Sequence, residues 1–165
     1  MSKTAYIGIG SNLENPLKNC KEAIGRLSAR KGITLTARSS FYKTEPVGIT
    51  DQDWFVNAVV EVRTTLDPPA LLEALLEIER GMGRIRGKKW GPRSIDLDLL
   101  FHEDAVLDLP GLTLPHPEIP RRRFILAPMS EIAGGFQHPV LKRTVNDLLA
   151  ELPESPHAIR IADSS

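Results

Sequence analysis

Between residues 95 and 99 the chain alternates strictly: Ile95, Leu97 and Leu99 are apolar, while Asp96 and Asp98 are acidic. Alternation at period two specifies a strand with two unlike faces. One face joins a core. The other carries two carboxylates whose Cα atoms stand about 7 Å apart, from a rise of roughly 3.3 Å per residue. Carboxylates that close repel unless positive charge lies between them. A hard cation such as Mg²⁺ suits the position, because it accepts one or two carboxylates and completes its shell with water and phosphate oxygens. A bare Asp-x-Asp pattern is also what a solvated sheet face looks like, so the flanks decide.

Upstream stand Arg80, Arg84, Arg86, Lys88, Lys89 and Arg93, interleaved with Gly81, Gly83, Gly87 and Gly91. This composition opposes regular structure and predicts a cationic loop. A basic loop running into a paired-carboxylate strand suits a polyphosphate bound with a metal: arginines grip phosphate oxygens and the metal bridges those oxygens to the carboxylates.

The 165 residues hold 21 basic and 21 acidic side chains, so formal net charge is +0. No global charge draws the chain to nucleic acid or a membrane surface, and any electrostatic function is local. A length of 165 residues suits one domain, expected over 1–165 with a polar tail over 153–165. Cys20 is the only cysteine, which excludes an internal disulfide and fits a reducing, cytoplasmic setting. Its spacing to Leu17, Ile24 and Leu27 predicts a core thiol. No apolar run resembles a signal peptide or a membrane span.

Strands are expected over 4–10, 33–42 and 54–65, then over the acidic segment to Phe101. Helices are expected from Pro16 toward Gly32, from Pro68 to about Met82 behind an Asp67 cap, over 124–132 despite Pro128, and over 144–152, where Thr144 and Asp147 are spaced as a capping box. Short strands are expected within 102–108 and over 112–114, and the prolines at 115, 117 and 120 exclude regular structure there. In the helix before the basic loop, Leu72, Leu75, Leu76, Glu79 and Met82 share one stripe. Glu79 is then either a rim residue or a buried carboxylate anchoring a loop arginine. The order strand, helix, strand, strand, helix, strand predicts an α+β, ferredoxin-like βαββαβ core: a mainly antiparallel sheet with helices on one face, additions at the C-terminal end, and the opposite face open for a site.

Several motifs are missing. Gly87-Lys88-Lys89, with Met82 at the first glycine position, is not a P-loop. Gly8-x-Gly10 lacks the third glycine of a dinucleotide fingerprint. Kinase signatures, zinc-type Cys/His clusters and a nucleophile elbow are absent.

Six blocks carry a resemblance: Tyr6-Ile-Gly-Ile-Gly-Ser-Asn12, Ser39-Ser-Phe-Tyr-Lys-Thr44, Asn57-Ala-Val, Gly83-Arg-Ile-Arg86, Trp90-Gly-Pro-Arg-Ser-Ile-Asp-Leu-Asp98 and Leu114-Pro-His-Pro117. In these, and in their order, the chain resembles the 6-hydroxymethyl-7,8-dihydropterin pyrophosphokinase family. The resemblance implies transfer of pyrophosphate from ATP to the hydroxymethyl group of the dihydropterin, with release of AMP, in folate synthesis. It implies Asp96 and Asp98 as ligands of two Mg²⁺ ions, and Arg84, Arg86 and Arg93 as catalytic beside them. Glu79, Arg86, Trp90, Arg93, Leu99, Thr113, His116 and Arg122 fall at ATP-binding positions. Thr44, Glu45, Val47, Gly48, Phe55, Asn57, Trp90 and Phe124 fall at pterin-binding positions. By residue type alone, Phe55 and Phe124 could equally be core, and the prolines around His116 could simply shape a turn. Leu76 stands where some members carry glutamine, and Glu45 where some carry proline. The resemblance further implies a monomer that binds ATP and the dihydropterin and needs no nucleic acid or membrane. Two rivals remain for a ferredoxin-like sheet: a metal-dependent nucleotidyltransferase, which would release pyrophosphate, and a non-enzymatic RNA-binding module, which would place aromatic residues on the central strands.

Overall fold

The computed structural model describes residues 2–12, 15–44, 55–83, 95–153 and 158–161. Its main sheet has six strands. β1 (Lys3–Ser11) lies between β4 (Phe55–Thr64) and β5 (Asp96–His102), antiparallel to both. The outer edge of β4 carries two successive partners, β2 (Ile33–Arg38) and β3 (Tyr42–Thr44). β8 (Ala158–Arg160) then pairs with β3. The two-stranded hairpin β6 (Leu107–Leu109) and β7 (Leu112–Leu114) stands apart from this sheet. The βαββαβ order is as expected, and the fold is α+β with an antiparallel sheet.

Two of the helices begin at a capping side chain that the sequence supplies. α1 (Pro16–Ser28) follows Asn15, which adopts the left-handed conformation at φ 54° that asparagine tolerates. α2 (Pro68–Gly81) is capped by Asp67, whose side chain accepts the Ala70 N–H at 2.9 Å. α4 (Val145–Ala150) starts with a full capping box between Thr144 and Asp147. α3 (Arg123–Ala133) accommodates Pro128.

One sheet face packs under α1 and α2. Ala5, Ile7 and Ile9, then Val56, Ala58, Val60 and Val62, meet Cys20, Ile24 and Leu27 from α1 and Leu71, Leu75 and Ile78 from α2. Cys20 is fully buried, as expected. Its Sγ donates to the Val56 carbonyl at 3.5 Å, and burial pushes the thiol up to about 12. Each leucine side chain buried here contributes about 2 kcal/mol of transfer free energy.

The structure changes several expectations. The opposite face is not wholly open: Tyr6, Val59, Leu100 and Phe101 lie under Ile125, Leu126 and Met129 of α3 and Val145 and Leu148 of α4. A register shift opposite Tyr6/Ile7 turns both Leu100 and Phe101 to this side, and that apolar surface requires a cover. The expected strand over 33–42 is two strands. At the break, the Ser39 hydroxyl accepts the Val59 N–H at 2.9 Å, a bond that a regular ladder would assign to a backbone carbonyl. The buried stripe of α2 is Leu71, Ala74, Leu75, Ile78 and Glu79, whereas Leu72, Leu76 and Met82 are half buried. The proline segment contains one 3-10 turn, Ile119–Arg121, with proline in its first turn, where a missing N–H costs nothing. The segment read as a polar tail contributes β8. Among the described residues, no helix is long and apolar enough to cross a membrane.

Candidate active site

Where α3 and α4 do not cover the second face, three strands present a polar surface. In register across the sheet, Asp96 on β5 pairs with Gly10 on β1, and Gly10 pairs with Asn57 on β4. The next row runs Asp98, Gly8, Val59. Paired residues share a face, so Asp96, Asp98 and Asn57 lie on the same side of the sheet, with the Cα atoms of Asp96 and Asn57 two strand spacings apart, about 10 Å. The strand between them offers only glycines. The site is thus a trough with acidic groups on one bank and a buried amide on the other, its oxygen lying over the Gly10 end of the glycine floor. Asp96 is half buried and Asp98 exposed.

β5 edges the sheet, and two partners cap its backbone. Glu79, 2 % exposed, reaches from α2 so that its Oε2 accepts the Leu97 N–H at 2.8 Å. A buried carboxylate is costly unless hydrogen-bonded, and here it grips the one residue between the two aspartates. Glu79 is therefore the buried carboxylate of the two expectations, holding the strand itself. The loop arginines it was expected to anchor lie outside the described residues. Further along, the His116 N–H donates to the Leu100 carbonyl at 3.0 Å, which ties the proline segment to β5.

His116 Nδ1 accepts the Glu118 N–H at 3.2 Å. Burial pushes its pKa below the usual value; Glu118 raises it and Arg122 lowers it further. A neutral ring with Nδ1 so occupied carries its proton on Nε2, a donor suited to a phosphate oxygen. Arg122 donates to Glu118 Oε1 at 2.9 Å, and its guanidinium carbon lies 5.9 Å from the Phe124 ring centroid. Thr113 and His116 border a common groove of about 530 Å³. Leu99 is buried in the first core, so only its backbone is placed to meet a ligand.

Of the residues expected to meet the pterin, Phe55 and Asn57 share β4, opposite Thr44 and Tyr42 of β3. Phe55 is half buried, and Phe124 packs at the margin of the second core. Arg84, Arg86, Trp90, Arg93, Glu45, Val47 and Gly48 lie outside the described residues, as does the side chain of Thr44.

Two features of the site were not legible beforehand. Gly8 and Gly10 form the floor, and their signal is glycine alternating with Ile7 and Ile9. The Glu79–Leu97 bond had no signal beyond a carboxylate near an apolar stripe.

Two acidic side chains on an antiparallel α+β sheet, in one row with an amide across a glycine floor, suit a group-transfer enzyme for a phosphate-bearing substrate. A family profile described as 7,8-dihydro-6-hydroxymethylpterin-pyrophosphokinase (HPPK) matches residues 6–134. The 2-amino-4-hydroxy-6-hydroxymethyldihydropteridine pyrophosphokinase of Methylorubrum extorquens is 44% identical over 151 residues, covering 92% of this chain and 94% of the relative. The Bacillus subtilis protein of the same name is 41% identical over 132 residues, covering 80% and 79%. The chain belongs to this family: it is a pyrophosphokinase, an ATP-dependent diphosphotransferase of folate biosynthesis. The nucleotidyltransferase and RNA-binding readings are thereby set aside. Among solved structures, the Plasmodium falciparum HPPK-DHPS wild type with pteroate superposes with a TM-score of 0.75 at 16% identity, covering 92% of this chain. The same protein with pterin and p-hydroxybenzoate gives 0.73 at 17% identity. The chain spans 42% of the length of each of these two, and at such identity they bear on the fold alone.

Proposed function

We propose that the enzyme binds ATP and 6-hydroxymethyl-7,8-dihydropterin across the glycine floor and joins them by in-line attack. The pterin hydroxymethyl oxygen bonds to the β-phosphorus of ATP, the bond from that phosphorus to the α,β-bridging oxygen breaks, AMP departs, and the hydroxyl proton passes to water. The observation that carries this reading is the row Asp96, Gly10, Asn57. It sets the strand of the acidic pair and the strand of a heterocycle-reading amide about 10 Å apart, with Gly10 on the strand between them.

Asp96 and Asp98 fit Mg²⁺. They are hard oxygen donors on one face. Two carboxylates do not fill an octahedral Mg²⁺ shell, so phosphate oxygens and water would complete it. Two ions are the expected complement; bound there, they would neutralise phosphate charge and draw electron density from the attacked phosphorus. The protein's own share is positioning and charge. Neutral His116 donates from Nε2 to a phosphate oxygen, and Arg122 adds positive charge beside it. Arg84, Arg86 and Arg93, with Trp90, are assigned to the phosphate side on their sequence positions. Phe55 and Phe124 bracket the pterin ring, and Asn57 reads its edge. Thr44, Glu45, Val47 and Gly48 complete the pterin contacts, again from sequence position. The reading takes the chain as one domain acting as a cytoplasmic monomer.

Incubation with ATP, Mg²⁺ and the hydroxymethyl dihydropterin, followed by chromatography of the nucleotides, tests the reaction. AMP appearing in step with pterin pyrophosphate is expected. Release of free pyrophosphate instead would overturn it.

A further inference from the structure

We infer that Glu131 is a positioning residue for the pterin, setting the separation between the Phe124 ring and the Phe55–Asn57 strand. The inference rests on the reading of these three residues as the pterin site.

Phe124 stands in the first turn of α3, and Glu131 lies seven residues later on the same helix. The Glu131 carboxylate gathers four donors from two other elements. Its Oε1 accepts the Ser40 N–H at 2.6 Å, and its Oε2 accepts the Ser40 hydroxyl at 2.6 Å. Arg160 of β8 donates to Oε2 at 3.0 Å, and the Tyr42 hydroxyl approaches Oε1 at 3.4 Å. Ser40 and Tyr42 belong to the segment that leads into and forms β3. β3 in turn pairs directly with β4, Tyr42 opposite Asn57 and Thr44 opposite Phe55. One carboxylate therefore joins the helix that carries one wall of the slot to the strand pair that carries the other wall and the edge-reading amide.

The fold has other means of holding α3. Ile125, Leu126 and Met129 already seat it in the second core. The exposed Arg160 pair adds little stability. The two bonds to Ser40 are different in kind. Charge-assisted bonds to a backbone N–H and its own side chain fix both position and direction. A planar ligand held between two rings is sensitive to the width of its slot, so tightening that width lowers the cost of binding.

The test is steady-state kinetics with each substrate varied in turn, on Glu131→Ala, Glu131→Gln and Ser40→Ala. Glu131→Ala is expected to raise KM for the dihydropterin about tenfold, a modest loss of binding free energy. KM for ATP should stay within about twofold. Glu131→Gln keeps an acceptor for the Ser40 N–H and offers an amide donor to the Ser40 hydroxyl, so it should restore most of the pterin KM. Ser40→Ala should show an intermediate rise, and it reports on the same joint if Glu131→Ala fails to fold. Equal changes in both KM values, or a Gln variant no better than Ala, would mean a structural role alone and overturn the inference. Phe124→Ala and Asn57→Ala run beside them. If these raise the pterin KM and Glu131→Ala does not, the positioning role fails while the site stands. If they leave it unchanged, the site reading fails and takes this inference with it.

Discussion

Asn57 overhangs Gly10. A Cβ placed on Gly10 would lie 2.6 Å from Asn57 Oδ1, closer than real atoms approach. Glycine is required here for space, so that the amide can lean across the floor of the trough from its own strand. Glycine therefore specifies where the Asn57 amide lies.

Gly10→Ala should displace the Asn57 amide while leaving the strand intact. The pterin KM is expected to rise about tenfold. At Gly8 a Cβ would meet only Leu100, at an ordinary 3.6 Å. Gly8→Ala should therefore fold with unchanged or slightly higher stability, by roughly 0.5 kcal/mol from reduced unfolded-state freedom. Thermal melts and pterin KM values for the two variants check the contrast. A Gly10→Ala enzyme with native pterin affinity would contradict it.

Asp98→Ala removes an exposed carboxylate from the face opposite the buried Leu97 and Leu99 side chains. Turnover should fall by about a hundredfold or more, since charge neutralisation supplies much of the rate in phosphoryl-type transfer. The melting temperature should stay within a few degrees. Turnover assays and calorimetric Mg²⁺ titration in the presence of a nucleotide analogue report on this; near-native turnover would remove the metal role from Asp98.

Glu79→Ala strips the Leu97 N–H of its acceptor inside the protein. Loss of a buried partner of this kind costs about 2 kcal/mol. Glu79→Gln retains an acceptor and should cost less. Because Leu97 lies between Asp96 and Asp98, both variants should lower turnover more than they change the pterin KM. Urea denaturation beside kinetics separates the two effects.

His138 supplies the pH prediction. Its Nδ1 accepts the N–H groups of Val140 and Leu141 at 3.2 and 3.1 Å, the ring packs edge-on against Phe101, and burial pushes its pKa down. The unfolded chain titrates this group near 6.5. Between that value and the lowered folded one, the unfolded state binds more protons, so stability rises with pH across the window. It is at its full value above 6.5 and is lost as pH falls through the folded pKa. His116, also shifted down, acts in the same direction. His138→Asn, which keeps an acceptor but no titrating ring, should narrow the stability difference between pH 7.5 and pH 5.5. A titration of the ring by NMR that placed its midpoint at or above 6.5 would contradict this.

Much of the fold was readable because local rules and tertiary demand agreed. Asp67 before Pro68, and Thr144 three residues before Asp147, cap their helices by bonds that span three residues, so nothing distant decides them. The stripe on α2 was misplaced for a different reason. Leucine occupies so many positions between 71 and 76 that more than one face satisfies a helical period, and only contact with β5 and α1 selects Leu71, Ala74, Leu75 and Ile78. The break at Ser39 and the strand at Ala158–Arg160 both depend on partners far along the chain, Val59 in one case and β3 in the other.

The sequence by itself determined the order of elements, the helix starts, the two-faced strand of Asp96 and Asp98 and, through its motif blocks, the family. Each of these is written in residues close together along the chain. The tertiary structure decided which bank of the trough each group occupies, that Glu79 grips the strand between the aspartates, and that Glu131 binds the segment leading into β3. Those outcomes turn on strand register and on how helices settle over a sheet, and such long-range choices are made by packing and backbone hydrogen bonding among residues that no local pattern brings together.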